Sequence, residues 1–145
     1  MIRKVLLGLL GLFLIMQLVR IDRKNPPVDP AINMVDMMDV PDPVVKTLRT
    51  ACYDCHSFET VYPWYTNIAP ISWWIGDHID HGREEMNFSV WGTYSDKRQR
   101  HKMEEIGELV EEREMPLKSY LIVHSEAELS EQEMAELINW SHTLK

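Results

Sequence analysis

The sequence lacks the patterns of a β-protein and of a repeat protein. No stretch alternates apolar and polar residues as a half-buried strand does, and no internal repeat or low-complexity tract is present. Apolar residues instead recur at helical spacing, as at Met103, Ile106, Leu109 and Val110. We therefore predict an all-α protein, and 145 residues are enough for one hydrophobic core.

Cysteine is also scarce, because the chain contains only Cys52 and Cys55. A structural zinc site usually has four ligands, and no second cysteine pair is present to complete one. A disulfide between these two residues would close a very short loop and stabilise little. The alternation of strands and helices that surrounds a thioredoxin-like redox pair is missing. These three uses of the pair are therefore less favoured than attachment of a cofactor.

Both cysteines lie in the pentapeptide Cys52-Tyr53-Asp54-Cys55-His56, which has the spacing of a c-type haem attachment motif. On a helix, positions 52, 55 and 56 project from one face, so one flat ligand can meet all three side chains. Each thiol can form a thioether to a haem vinyl group, and His56 can supply an axial nitrogen to the iron. The motif predicts one covalently bound haem c.

The chain has no uninterrupted apolar run of the roughly 20 residues that a spanning helix needs. The apolar run from Val5 to Val19 is shorter, and basic residues flank it on both sides, which is typical of an export signal. No small-residue cleavage site follows, and no cysteine is there to accept a lipid. We therefore predict an uncleaved signal anchor over residues 1–24, with a signal peptide as the alternative.

The cellular location follows from the chemistry of the motif. Attachment of haem to a Cys-x-x-Cys-His motif is similar to the reaction that maturation systems carry out outside the cytoplasmic membrane. We expect a protein held at the cytoplasmic membrane by a single N-terminal anchor, with its haem domain in the periplasm or another extracytoplasmic space.

Basic residues become scarce after position 25. Residues 1–25 hold five of the 15 Lys and Arg residues and one of the 23 Asp and Glu residues, so the rest of the chain has a net charge of −12. This charge repels nucleic-acid phosphates, and we expect no nucleic-acid partner. It can steer a basic redox partner protein, or it can simply keep the domain soluble.

Prolines and capping residues divide the chain. Five prolines between Pro26 and Pro43 predict an extended tether over residues 25–42, whose methionines can pack on the domain, and residues 43–145 form the predicted haem domain. Asp42-Pro43 predicts the start of a helix that presents the haem motif at its C-terminal end.

Three further helices are expected. The first begins near Pro70, runs towards His81 and is terminated or interrupted by Gly82. The second covers about Ser95 to Arg113, and the last follows a capping box formed by Ser130 with Glu133.

The second axial ligand of the iron is the least certain part of the predicted site. Met115 follows a helix, precedes Pro116 and lies 59 residues after His56, in a loop that can fold back over the ring. Methionine and histidine both serve as axial ligands, so His78 and His81 compete with Met115, and histidine ligation would lower the potential. Packing alone is the other explanation for a methionine here.

Several of these segments also carry a family resemblance. From Cys52 to Trp140 the chain resembles the bacterial haem-binding domain family of small monohaem c-type proteins. The shared segments are Pro63-Trp64-Tyr65, Gly82-Arg83, Asn87-Phe88-Ser89-Val90-Trp91 and Met115-Pro116-Leu117-Lys118-Ser119-Tyr120, the last with one extra residue before the tyrosine. The resemblance implies covalent haem through Cys52 and Cys55, ligation by His56, and a small cytochrome c-like helical domain.

Further pocket residues are expected around the haem. By similarity to cytochromes c, the carbonyl of Pro70 or of the segment before it is a candidate acceptor for the free ring nitrogen of His56. Four side chains are candidate donors to the haem propionates, although ordinary packing or surface ion pairs explain each of them equally well: Tyr65, Arg83, Asn87 and Trp91.

Two classes of function fit these features. The first is a membrane-tethered monohaem cytochrome that carries electrons, with His56 and Met115 as axial ligands. The second is a haem enzyme or sensor, peroxidase-like or gas-binding, with an open or displaceable distal site. Ligation by methionine favours the electron carrier, which is the preferred prediction, whereas a five-coordinate ferrous haem that binds carbon monoxide rapidly would favour the second class. No paired carboxylates, nucleophile with its base, or phosphate-binding loop supports other chemistry.

Overall fold

The computed structural model describes residues 1–143, and over that range the fold consists of helices without strands. The α-helices are α1 (Ile2–Met16), α2 (Met34–Met37), α3 (Asp42–Ala51), α4 (Tyr53–His56), α5 (Ile71–Glu85), α6 (Asp96–Glu111), α7 (Lys118–Leu121) and α8 (Glu131–Ser141). Short 3₁₀ helices cover Trp64–Asn67, Phe88–Thr93 and Ser125–Ala127. The all-α prediction is confirmed.

The N-terminal helix α1 is uncharged after Arg3 and Lys4, and none of its residues is buried. It has 15 residues, and within residues 1–143 no helix is long and apolar enough to cross a membrane. The structure therefore does not support a membrane-spanning N-terminal anchor. The chain just after α1 is attached to the domain, because the Gln17 amide donates to the Ala69 carbonyl at 3.1 Å and accepts from the Ala69 N–H at 2.9 Å.

The proline-rich segment is not an extended tether along its whole length. Met34 is fully buried in the core, and α2 packs against the 3₁₀ helix Phe88–Thr93. The N–H of Gly92 donates to the Ile32 carbonyl at 2.9 Å, and a Cβ at position 92 would lie 2.6 Å from the Met37 sulfur. Apolar burial and this close approach hold the second half of the segment on the domain.

The helix that starts at Asp42 ends earlier than expected. α3 stops at Ala51, Cys52 has non-helical backbone angles (φ −123°, ψ −35°), and α4 is a separate short helix. The prediction of one continuous helix through the haem motif was therefore wrong. The change of direction at Cys52 accompanies burial of Tyr53, whose ring stacks on Phe88 with centroids 5.2 Å apart.

Helix α5 begins after Pro70 as predicted but continues through Gly82 to Glu85. Gly82 therefore does not terminate it. The glycine instead allows close packing of α5 on α4, because a Cβ there would lie 2.9 Å from the backbone oxygen of Cys55.

Helices α6 and α8 pack on each other and, with α3, enclose the core. The Ser95 side chain caps α6, and the Ser130–Glu133 capping box is present at the start of α8. The apolar stripe expected on α6 is buried except for Leu109, which lines a cavity. The largest apolar side chains that are fully buried are Trp91, Phe88, Met34, Leu48, Met103 and Leu137.

Candidate functional site

One cavity of about 530 Å³ lies between α3, α4, α5, α6 and the segment leading into α7. This volume is in the range of small-molecule and cofactor sites, roughly 300–1,000 Å³. Most of its lining is apolar, and the apolar residues include Leu48, Ala51, Phe88, Ile106, Leu109, Val110 and Leu117. The cavity therefore offers a largely apolar site for a large ligand.

The three residues of the haem motif line this cavity together. Cys52, Cys55 and His56 all belong to its wall, and both thiols are free. Burial raises the pKa of Cys52 to about 12 and that of Cys55 to about 11. At neutral pH both sulfurs are therefore protonated thiols rather than thiolates.

The ring of His56 is held in one orientation by the C-terminal turn of α5. Its Nδ1 lies 2.9 Å from the Gly82 carbonyl oxygen and 3.0 Å from the Met86 carbonyl oxygen. Because a carbonyl oxygen only accepts hydrogen bonds, Nδ1 carries the proton and Nε2 keeps its lone pair. Burial lowers the pKa of His56, more than the two carbonyls raise it, which favours the neutral imidazole that binds metals.

These acceptors differ from the expected one. The Pro70 carbonyl accepts instead from the N–H groups of Trp73 and Trp74, at 3.1 and 3.3 Å, and Pro70 does not line the cavity. α5 contributes its C-terminal turn to the site because Gly82 lets that turn pack directly against Cys55.

Met115 lines the same cavity, as do Pro116 and Leu117. The N–H groups of Glu114 and Met115 both donate to the Leu109 carbonyl, at 2.9 and 3.1 Å, which fixes the start of this segment on α6. His78 and His81 of α5 line the cavity as well. The structure thus brings together the methionine and both of its competitors, and ligation by Met115 stays a prediction.

Arg83 does not reach the cavity. Its guanidinium donates to the Ser57 carbonyl at 2.8 Å, to the Thr60 hydroxyl at 2.9 Å and to the Asn25 side chain at 3.0 Å. These bonds attach the loop after the haem motif to α5. Arg83 therefore stabilises this loop, and the expected contact with a haem propionate is not supported by its position.

The other three candidate propionate donors are also placed elsewhere. The side chain of Asn87 accepts from the Ser89 N–H at 2.9 Å, and Trp91 is 1% exposed in the core. The Tyr65 hydroxyl pairs with Nε2 of His124 at 2.5 Å. None of Tyr65, Asn87 and Trp91 lines the cavity.

The cavity lining also includes charged residues that the sequence did not mark as part of the site. Lys102 is the only Lys or Arg among the described residues in the lining, and its Nζ lies 2.6 Å from Glu105 and 3.5 Å from Glu85. The glutamates near residue 105 follow the pattern of a solvated helix face, so sequence periodicity gave no signal for this site.

Asp54 and Tyr120 also line the cavity, and the Tyr120 hydroxyl donates to the Asp54 carboxylate at 2.7 Å. Asp54 occupies a variable position between the two cysteines, whereas Tyr120 ends the Met-Pro segment quoted above. The sequence therefore gave a signal for Tyr120, through the Met-Pro segment, but none for Asp54.

The donor set and the cavity fit a haem. Two thiols and an imidazole with a free Nε2 share one wall of a largely apolar space, and a thioether sulfur lines the same space. Within the described residues, no group of three or more His, Cys, Asp and Glu side chains is arranged to hold a metal ion alone. The iron of a haem needs only axial ligands from the protein, so this arrangement favours a haem over a bare metal site.

Comparison with known proteins gives one match. A family model described as a haem-binding domain matches residues 11–143. No curated protein and no solved structure matches the chain.

Proposed function

Because this chain belongs to the haem-binding domain family, we propose that it is a monohaem c-type cytochrome that carries electrons. Cys52 and Cys55 form the thioethers, and His56 is the proximal axial ligand. The main support for this proposal is that both free thiols and His56, whose Nε2 is free to bind a metal, line the same cavity. The bound haem supplies one-electron chemistry at its iron.

The protein's own residues orient the His56 ring and surround the site with apolar side chains. The carbonyls of Gly82 and Met86 fix the His56 ring and direct its Nε2 away from the C-terminal turn of α5. A hydrogen bond to the outer nitrogen of an axial histidine increases the basicity of the ligand. The apolar part of the lining lowers the polarity around a bound cofactor, which raises its reduction potential.

Met115 is the proposed distal ligand. Its segment lines the cavity and its backbone is fixed at Leu109, so the thioether is held near the site at little further cost in conformational entropy. Ligation by methionine favours electron transfer over catalysis, because it fills the position that a substrate or gas would need. His78 or His81 in that position would give a lower potential.

A near-infrared absorption spectrum of the oxidised protein tests this assignment. We expect the methionine-to-iron charge-transfer band in the wild-type protein and its loss in Met115→Ala. Met37→Ala is a matched control, because Met37 is half exposed and does not line the cavity. The band should survive in that control and in His78→Ala and His81→Ala.

A band that persists in Met115→Ala would contradict ligation by this residue. A wild-type protein without the band, with ferrous haem that binds carbon monoxide rapidly, would favour the haem enzyme or sensor instead.

The membrane attachment is part of the same proposal. The apolar side chains of α1 are exposed, and basic residues flank the helix, as in an export signal. By its length of 15 residues α1 extends for about 22 Å, less than the roughly 30 Å of a bilayer core. Because α1 is too short to cross the bilayer core, we propose that it lies at the outer side of the cytoplasmic membrane. The hydrogen bonds between Gln17 and Ala69 hold the haem domain close to α1.

The partner is inferred from charge. Residues 26–145 have a net charge of −12, which would attract a basic redox protein and repel nucleic acid. Such attraction mainly accelerates encounter and is screened by salt.

A further inference from the structure

A part-buried hydrogen bond joins the haem motif to the Met115 segment. Asp54 lies between the two cysteines on α4, and Tyr120 lies on α7, five residues after Met115. The Tyr120 hydroxyl donates to Oδ2 of Asp54 at 2.7 Å, and both residues line the cavity. A hydroxyl that donates to a carboxylate makes one of the stronger hydrogen bonds in proteins.

Both partners of this bond are held by further contacts. Oδ1 of Asp54 accepts from the Val61 N–H at 2.8 Å. The Tyr120 ring stacks on His124 with centroids 4.1 Å apart and planes 9° apart, and His124 in turn pairs with Tyr65. Burial and the bond to Asp54 raise the pKa of Tyr120, so its hydroxyl stays protonated and keeps donating.

Hydrogen bonds hold the segment between α6 and α7 at both ends, and near its start Arg113 also pairs with Glu131 of α8. At its start, the N–H groups of Glu114 and Met115 bond to the Leu109 carbonyl. At its end, Tyr120 bonds to Asp54. Met115, Pro116 and Leu117 lie between these points and line the cavity. Of these attachments, only the one at Tyr120 involves the haem motif itself.

We propose that the Asp54–Tyr120 bond is a clasp that positions the Met115 segment over the haem site. The clasp ties the element that carries the cysteines to the element that carries the distal methionine. Asp54 and Tyr120 are positioning residues, because they act through the segment and not on the iron. The inference rests on the proposed role of Met115.

Removal of one hydroxyl tests the clasp in the haem-loaded, full-length protein. Tyr120→Phe keeps the ring and its stacking on His124 but removes the donor to Asp54. We expect about tenfold faster hydrogen exchange at the Tyr120 and Leu121 amides, which bond to the Leu117 carbonyl, and about tenfold faster binding of carbon monoxide to the ferrous protein, as expected for loss of a hydrogen bond to a charged group.

Tyr94→Phe is the matched control. The Tyr94 hydroxyl accepts from the Asn87 N–H at 2.9 Å, outside the cavity, so this variant also loses one hydrogen bond but leaves the clasp intact. Both rates should stay within about twofold of wild type in this control, since nothing in the Met115 segment is released.

A thermodynamic cycle separates the clasp from general damage. Asp54→Asn keeps one oxygen acceptor where the carboxylate has two, for the Tyr120 hydroxyl and the Val61 N–H, so we expect rates between those of the wild type and Asp54→Ala. Asp54→Ala removes both bonds and should accelerate exchange and carbon monoxide binding at least as much as Tyr120→Phe. The double variant Asp54→Ala/Tyr120→Phe should be little worse than Asp54→Ala, because the Asp54–Tyr120 bond is already absent from each single variant.

Equal exchange and carbon monoxide rates in Tyr120→Phe and Tyr94→Phe would overturn the clasp, and so would additive effects of the two single variants. Faster exchange with unchanged carbon monoxide binding would also overturn it, because the segment would then be free without affecting the distal site. Absence of the methionine band from wild-type protein would instead contradict the role of Met115, independently of the exchange measurement.

Discussion

At the scale of single residues, the site depends on protonation states that the fold imposes. Two carbonyl oxygens require the proton of His56 on Nδ1, and burial keeps the ring neutral. Burial also keeps the thiols of Cys52 and Cys55 protonated. The folded chain therefore presents a ready metal ligand beside two thiols that are protected from oxidation, which proceeds through the thiolate.

The thiols give a prediction on pH dependence. Burial raises the pKa of Cys55 to about 11 and of Cys52 to about 12, from a usual value of 9.0. Folding favours the protonated thiols, so their contribution to the stability of the haem-free chain is complete below pH 9 and is lost as pH rises through 11 to 12. Alkylation by iodoacetamide should follow the same titration.

The measurement compares the alkylation rate of the folded haem-free chain with that of the same chain in urea, as a function of pH. The urea profile should have its midpoint near the usual value of about 9, and the folded profile should rise only at about 11 or above. Two superimposed profiles would contradict the burial of the thiols.

At the scale of elements, the contact between α4 and α5 positions His56 at the cavity. Gly82 has two roles in this contact. Its carbonyl accepts from His56, and its missing side chain lets α5 approach the backbone of Cys55. Because one residue serves both roles, the spacing of the two helices and the orientation of the ligand ring are coupled.

Gly82→Ala tests this coupling. The added methyl group would lie 2.9 Å from the Cys55 carbonyl oxygen and 3.2 Å from its Cβ, so the helices must separate. We expect a loss of about 1–3 kcal/mol in the free energy of unfolding, as for overpacked cores, and a smaller fraction of chains with haem. Urea denaturation and the ratio of haem to protein absorbance measure these effects.

Gly11→Ala is the control for this variant, since a Cβ at position 11 meets no atom within 4 Å. It also introduces alanine into a helix, and it should leave both quantities unchanged or improve the stability slightly. If Gly82→Ala behaves like Gly11→Ala, the close packing of α5 on α4 is not important for the site.

At the scale of the whole molecule, local signals predicted the fold well and long-range contacts poorly. The Ser130–Glu133 capping box was correct because a cap is encoded within four residues. A helix also starts at Asp42, but Asp42 is its first residue and makes no side-chain cap hydrogen bond, so the expected cap at that position was wrong. The break at Cys52 was missed, because it depends on the burial of Tyr53 against Phe88, far along the chain. Packing of the methionines of the proline-rich segment on the domain was expected, and Met34 is fully buried, but the sequence did not indicate which core residues it would meet.

The same distinction applies to the site. The haem motif is contiguous, so Cys52, Cys55 and His56 could be identified together from spacing alone. The acceptors of the His56 proton lie 26 and 30 residues away, and no local pattern marks a backbone carbonyl. Arg83 carried a motif signal, but the fold uses it to hold Ser57 and Thr60. A motif thus identified the residue without identifying its contacts.

The covalent attachment of one haem is the central claim, and a pyridine haemochrome spectrum tests it most directly. The full-length chain is exported together with a c-type maturation system, purified, and extracted with acidified organic solvent before the spectrum is recorded. We predict haem that stays on the chain and a reduced spectrum typical of two thioether links, shifted to that of a single link in Cys52→Ala or Cys55→Ala. Haem that is released by the solvent, or a chain that acquires none, would contradict the claim.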